Sequence, residues 1–106
     1  MTEEIDPETV KEKIENGDDV QIVDTRRPAA YADGHIPGAE NVPLTDLANQ
    51  VDEVDWGDEI VFVCEVGESS IQAGRLVQSY EGVDDDATVA SMAGGYADWN
   101  YELDAE

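Results

Sequence analysis

Apolar residues in this chain fall into short continuous runs, separated by longer segments in which they recur every three or four positions. The clearest continuous run is 60–63, and a second one, 20–23, is also rich in β-branched residues. Continuous apolar runs of this length, bounded by polar residues, are typical of strands that are buried on both faces. We predict two further extended segments at 40–42 and 88–90.

The segments between these strands predict helices. The first helix begins at Pro7, since proline suits the first turn of a helix, and ends near Gly17. Further helical segments are predicted at 28–31, 45–50, 70–80 and around Trp99. Ser69 and Gln72 stand in capping-box spacing at the start of the third of these. Because strands alternate with helices, we predict one α/β domain over residues 1–106, with a mostly parallel sheet covered by helices on both faces.

The charge balance limits the partners of the protein. The chain has 27 acidic and five basic residues among 106, which gives a formal net charge of −22. Such a surface repels nucleic acid and anionic lipid, so we expect neither as a partner. No apolar run approaches the roughly 18 residues of a membrane span, and the first residues resemble no signal peptide. We therefore expect a cytoplasmic protein.

The same acidity predicts a halophilic protein, adapted to a salt-rich cytoplasm. Mutual repulsion of the acidic residues acts over about 30 Å at low ionic strength but only about 3 Å in molar salt. We expect the melting temperature to rise between low and molar KCl, and a gain of about 1 kcal/mol would raise it by about 5 °C. Thermal unfolding followed by circular dichroism measures this, and an ordinary acidic protein would show no gain.

Cys64 is the only cysteine, so it cannot form an internal disulfide, and it directly follows the apolar run 60–63. The loop 65–69 and a predicted helix follow it. In such a turn the main-chain N–H groups can converge on the sulfur, and together with the helix dipole they favour a negative charge there. Gly67 permits the positive φ that a tight loop often needs. We interpret Cys64 as a reactive thiol able to carry a persulfide; the alternative is a small buried hydrophobic residue.

Three further residues are candidates for pocket or structural support. Asp24 and Arg26 can form a buried ion pair behind the sheet or line the pocket. His35 lies in a glycine- and proline-rich turn, which favours a structural hydrogen bond over the role of a base. Arg27 is interpreted as a surface residue, and Arg75 as a helix residue that points away from the loop or along its flank. One cysteine and one histidine cannot provide the four ligands of a zinc site, so we expect no metal and no organic cofactor.

Three blocks of sequence resemble the rhodanese-like sulfurtransferases. The first block comprises 22–26, 33–39 and 41–44, the second is the loop 64–70, and the third is 93–99. The blocks stand in the order of that family and cover nearly the whole chain. The resemblance implies a five-stranded parallel sheet flanked by helices and a transferase of the thiosulfate sulfurtransferase (rhodanese) type.

The resemblance also implies roles for the residues of the loop. Cys64 would take a sulfane sulfur from thiosulfate or from a protein persulfide, such as that of a sulfur-carrier protein, and pass it to cyanide or a thiol. The main-chain N–H groups of 65–69 would surround the persulfide. Many relatives have an arginine at the position of Ser69, whereas this chain has hydroxyls at Ser69 and Ser70. The persulfide-binding loop is thus Glu65, Val66, Gly67, Glu68, Ser69 and Ser70.

The loop also leaves alternatives open. Glu65 and Glu68 oppose an anionic donor, each by roughly 3 kcal/mol at about 5 Å and an effective dielectric constant of about 20, before screening by salt. A catalytically weak rhodanese-like binding module, or a dedicated sulfur-relay partner, is therefore one alternative. A phosphatase or arsenate reductase is another, but it needs an arginine at position 70, where this chain has Ser70.

Overall fold

A computed structural model describes residues 3–17, 19–84 and 86–105. The elements, in chain order, are β1 (Glu3–Ile5), α1 (Pro7–Glu15), β2 (Gln21–Asp24), α2 (Pro28–Asp33), β3 (Glu40–Asn41), α3 (Leu44–Gln50), β4 (Glu59–Val63), α4 (Ser69–Gln78), β5 (Thr88–Met92) and a final 3-10 turn, Gly95–Asp98. Within those ranges, no helix has both the length and the apolar character needed to cross a membrane.

The five strands form one sheet in the order β1-β5-β4-β2-β3, and every neighbouring pair is parallel. The predicted α/β class and parallel five-stranded sheet are therefore confirmed. In the centre of the sheet, Phe62 lies between Val23 of β2 and Ser91 of β5. Since all strands run in the same direction, the residues that follow β2, β4 and β5 meet at one edge of the sheet. Cys64, which follows β4, lies at that edge.

The two faces of the sheet carry separate hydrophobic clusters. Ile60 and Phe62 of β4 belong to the cluster on one face, which also contains Leu47 of α3 and Val77 of α4. Val61 and Val63 belong to the other cluster, with Val10 of α1, Met92 and Trp99. Successive residues of β4 are thus buried on opposite faces, which explains why the run 60–63 is continuously apolar.

Two details of the predicted elements are wrong. Strand β1, whose residues pair with Ala90 to Met92 of β5, was not predicted from the sequence. Two of its three residues are exposed glutamates and only Ile5 packs against a hydrophobic cluster, so the strand carries no apolar pattern. The capping box is also absent, because Glu68 takes the N-cap position, no side chain caps the helix, and Ser69 already lies in the first turn of α4.

Candidate active site

The loop after β4 directs two main-chain N–H groups at the sulfur of Cys64. The N–H of Gly67 donates to Sγ at 3.0 Å and the N–H of Ser70 at 3.4 Å. Gly67 has φ +89°, a backbone conformation that residues other than glycine rarely adopt, and it turns the loop back over the sulfur. Converging N–H groups of this kind stabilise negative charge. The second donor, Ser70, lies one residue beyond the predicted segment 65–69.

Cys64 lies in the wall of a pocket of about 390 Å³ although its exposed fraction is only 3%. A volume of this size is typical of small-molecule sites, which span about 300–1,000 Å³. The pocket is lined by Thr25, Arg26, Arg27, Ala30, Cys64, Glu65, Val66, Glu68 and Ser69. Of the predicted loop residues, Gly67 and Ser70 are buried behind this lining. The sequence did not reveal that Thr25, Arg27 and Ala30 line the pocket. Their position just after β2, the neighbour of β4, is the signal that could have found them.

Two buried hydroxyl groups extend the environment of the sulfur towards the sheet. Ser70 Oγ lies 3.3 Å from Cys64 Sγ and 2.6 Å from Ser91 Oγ, and both serines are fully buried. Ser69, the other predicted hydroxyl, lines the pocket instead. Ser91 was not predicted, although a polar residue within the buried run of β5 is a recognisable signal. A fully buried hydroxyl needs a hydrogen-bond partner, and here each serine provides one for the other.

Asp24 and Arg26 form the ion pair that the sequence suggested. Arg26 Nη2 lies 2.8 Å from Asp24 Oδ2, Asp24 is fully buried, and the Tyr96 hydroxyl donates to the same oxygen at 3.0 Å. Burial raises the pKa of Tyr96 far above its usual value of about 10. Burial also disfavours the charge of Arg26, but the hydrogen bond and charge of Asp24 outweigh it and raise the pKa of Arg26. Arg26 also lines the pocket, whereas Asp24 is not among the lining residues.

Arg26 also contacts one of the two glutamates of the loop. Its Nη1 lies 3.4 Å from Glu65 Oε1, and the side chain of Glu65 is 72% exposed. This contact offsets the charge of Glu65 at the pocket. Glu68 is exposed and lines the pocket. Of the two predicted sources of repulsion, Glu68 is therefore the one without an ion pair in the described part of the chain.

His35 lies apart from the residues that line the pocket. Its Nδ1 is 2.8 Å from the carbonyl oxygen of Tyr31, and its ring stacks on the Tyr31 ring with centroids 3.8 Å apart. Its backbone exchanges hydrogen bonds with Asp104. These contacts support a structural position for His35.

The backbone of the Cys64 loop packs directly on the turn after β5. The N–H of Tyr96 donates to the carbonyl of Cys64 at 2.8 Å, and the N–H of Ala97 donates to the carbonyl of Glu65 at 3.0 Å. Gly95 has φ +58°, and a Cβ at this position would lie 2.2 Å from the Cys64 carbonyl oxygen. The close approach that positions the loop therefore depends on glycine at position 95.

Comparisons with known proteins agree with this geometry. The family model of the rhodanese-like domain matches residues 6–102. The chain is 37% identical over 82 residues to the thiosulfate sulfurtransferase GlpE of Pseudoalteromonas translucida, covering 77% of this chain and 74% of that protein. It is 32% identical over 100 residues to a sulfurtransferase of Allochromatium vinosum, covering 93% and 89%. It spans 50% of the length of YrkF of Bacillus subtilis, to which it is 30% identical.

Solved structures show the same fold. The solution structure of the rhodanese-like domain from the Anabaena sp. protein Alr3790 superposes with a TM-score of 0.81 at 28% identity, covering all of this chain and 81% of that one. A rhodanese-like domain protein from Staphylococcus aureus gives a TM-score of 0.83 at 23% identity, covering 99% of each chain. The second similarity concerns the fold alone.

Proposed function

We propose that this chain, which belongs to the rhodanese-like domain family, is a sulfurtransferase that carries a sulfane sulfur on Cys64. The observation that carries the proposal is the pair of main-chain N–H groups, from Gly67 and Ser70, that donate to Cys64 Sγ beside an open pocket. The names of the GlpE and Allochromatium relatives support this reaction class over a phosphatase or arsenate reductase.

The first half of the reaction loads the sulfur. The Cys64 thiolate attacks the outer sulfur of thiosulfate, the S–S bond of the donor breaks, and sulfite leaves with the electron pair. A new S–S bond now joins Cys64 Sγ to the transferred sulfur, which carries the negative charge. The N–H groups of Gly67 and Ser70, which donate to Sγ, favour the thiolate that makes the attack.

The second half passes the sulfur on. Cyanide or a thiolate attacks the outer sulfur of the persulfide, and the Cys64–sulfur bond breaks with its electron pair returning to Cys64 Sγ. The products are thiocyanate, or the persulfide of the acceptor, and the free Cys64 thiolate. Neither half requires a metal or an organic cofactor.

A sulfur relay that takes its persulfide only from a protein partner, such as a sulfur-carrier protein, is the second candidate. Glu68 at the pocket disfavours the thiosulfate dianion, and Val66, beside it, is 58% exposed. Val66 lines the pocket, so its exposed side chain is available for contact with a protein donor. The two candidates share Cys64 and differ in the donor.

Intact-mass spectrometry tests the proposal. The protein is incubated in molar KCl with thiosulfate, and in parallel with a protein persulfide donor, and is then desalted. We expect a gain of one sulfur atom, which cyanide removes as thiocyanate, and no gain in Cys64→Ser. Loading by the protein donor alone would favour the relay, and an adduct that survives in Cys64→Ser would refute the assignment of the site.

A further inference from the structure

We propose that the pocket is selective for zwitterionic sulfur compounds of the amino-acid thiol class, with Arg27 binding the carboxylate and Glu68 the ammonium group. The inference rests on the proposed sulfur transfer at Cys64 and specifies its small-molecule acceptor. It follows from two charged side chains that line the pocket and from the net charge of the protein.

Arg27 is the first of these side chains. It is exposed, it lines the pocket that contains Cys64, and it has no ion-pair partner among residues 3–17, 19–84 and 86–105. By contrast, Lys11, Lys13 and Arg26 each pair with a carboxylate. In a chain with 27 acidic residues, an exposed arginine that lines a pocket and has no ion pair in the described part of the chain is available for an anionic ligand. Its planar donors suit a carboxylate, which can accept two parallel hydrogen bonds.

Glu68 is the second charged side chain. It is exposed and lines the same pocket from the loop after β4, whereas Arg27 comes from the segment after β2. Glu65, the other glutamate of the loop, contacts Arg26. Glu68 therefore offers its carboxylate to a cation, so the pocket has an available positive group and an available negative group on two different segments.

The charge of the whole protein favours a ligand whose own charges cancel. A net charge of −22 opposes the approach of anions, and a dianion is opposed most strongly. A zwitterion has no net charge, so it avoids this long-range repulsion and still presents a carboxylate to Arg27 and an ammonium group to Glu68. An amino-acid thiol also fits comfortably within a pocket of about 390 Å³.

The transfer step that this ligand would undergo balances without a further reagent. The thiolate of the amino-acid thiol attacks the outer sulfur of the Cys64 persulfide, and a new S–S bond forms on the acceptor. The bond between Cys64 Sγ and the outer sulfur breaks, and its electron pair remains on Cys64 as a thiolate. The acceptor enters the pocket as the neutral thiol and releases its thiol proton to water there, before the attack, so the total charge is conserved.

Four acceptor thiols of similar size distinguish the contributions of the two charged groups. Cysteine carries a carboxylate and an ammonium group, 3-mercaptopropionate only the carboxylate, cysteamine only the ammonium group, and 2-mercaptoethanol neither. Persulfide-loaded protein is mixed with each, and the loss of the persulfide is followed by intact mass. The ratio of the second-order rate constants of variant and unchanged protein cancels the intrinsic reactivity of each thiol. We expect Arg27→Gln to lower the rate constants for cysteine and 3-mercaptopropionate about five-fold and to leave those for the other two thiols unchanged. Glu68→Gln should slow cysteine and cysteamine by a similar factor.

Matched controls use exposed residues outside the pocket. Arg75→Gln and Glu81→Gln remove the same charges from the surface, and we expect them to change all four rate constants equally and by less than two-fold. The inference is overturned if Arg27→Gln lowers the rate constants of all four thiols by the same factor, or lowers them no more than Arg75→Gln does. The proposed function fails separately, if the unchanged protein takes up no sulfur on Cys64 from either donor.

Discussion

Gly95→Ala is expected to slow the loading of sulfur on Cys64 by about 100-fold, because a displacement of about 1 Å at a reacting group can cost that much. The added Cβ would lie 2.2 Å from the Cys64 carbonyl oxygen and 2.7 Å from the Glu65 carbonyl group. Both are backbone atoms, so the loop itself must move. The positive φ of Gly95 adds backbone strain, and together the two effects should lower the free energy of unfolding by about 2–4 kcal/mol.

Loading rates by intact mass and urea unfolding at equal KCl concentration measure the two effects of Gly95→Ala separately. Gly57→Ala is the matched control, since its Cβ would meet only the Gln21 side chain, at an ordinary 3.6 Å, and its φ lies outside the positive range. We expect Gly57→Ala to load sulfur at the unchanged rate. Unchanged loading in Gly95→Ala would show that the close approach of the two turns does not position the cysteine loop.

Asp24→Asn should have the largest effect on stability, a loss of about 3–5 kcal/mol, because it removes the buried partner of Arg26 and leaves only the exposed Glu65 to pair with it. Arg26 donates to Asp24 through its main-chain N–H, Nε and Nη2, and Tyr96 donates through its hydroxyl. The asparagine keeps the shape of the side chain but removes the negative charge. The side chain of Arg26 is only 10% exposed, so water cannot replace the lost carboxylate.

Chemical denaturation in high KCl measures the effect of Asp24→Asn. Asp52→Asn, at an exposed position in the turn after α3, is the control and should change the free energy of unfolding by less than about 0.5 kcal/mol. Equal stabilities of the two variants would mean that the network around Asp24 contributes nothing beyond surface charge. Molar salt sharpens the comparison, because screening suppresses the benefit of removing any one acidic charge.

The central strands and the cysteine loop were predictable because their signals are local. Burial of β4 on both faces requires the continuous apolar run 60–63, and the loop that follows requires glycine at position 67. These features depend on neighbouring residues only. These signals predicted the strand that ends before Cys64 and the turn that follows, but of the N–H groups predicted to surround the sulfur, those of 65–69, the structure shows only that of Gly67 donating to it among the described residues.

The parts that were missed depend on residues far apart in the chain. Tyr96 reaches Asp24 across 72 positions, and Ser91 reaches Ser70 across 21. No periodicity reports such contacts, because they arise only when parallel strands bring their ends together. Arg27 was rightly interpreted as exposed, but its place in the pocket follows from β2 lying next to β4.

The edge strands of the sheet affect whether copies of this protein aggregate at high protein concentration. The edge strands β1 and β3 contain three and two residues, and Glu3, Glu4 and Glu40 on them are exposed. Charge on an edge strand normally discourages intermolecular strand pairing, but in molar salt this repulsion acts over only about 3 Å. The protection given by the shortness of the edge strands does not depend on salt. Short edges offer too few free backbone groups to template aggregation, so they protect the fold under conditions in which its acidity no longer does.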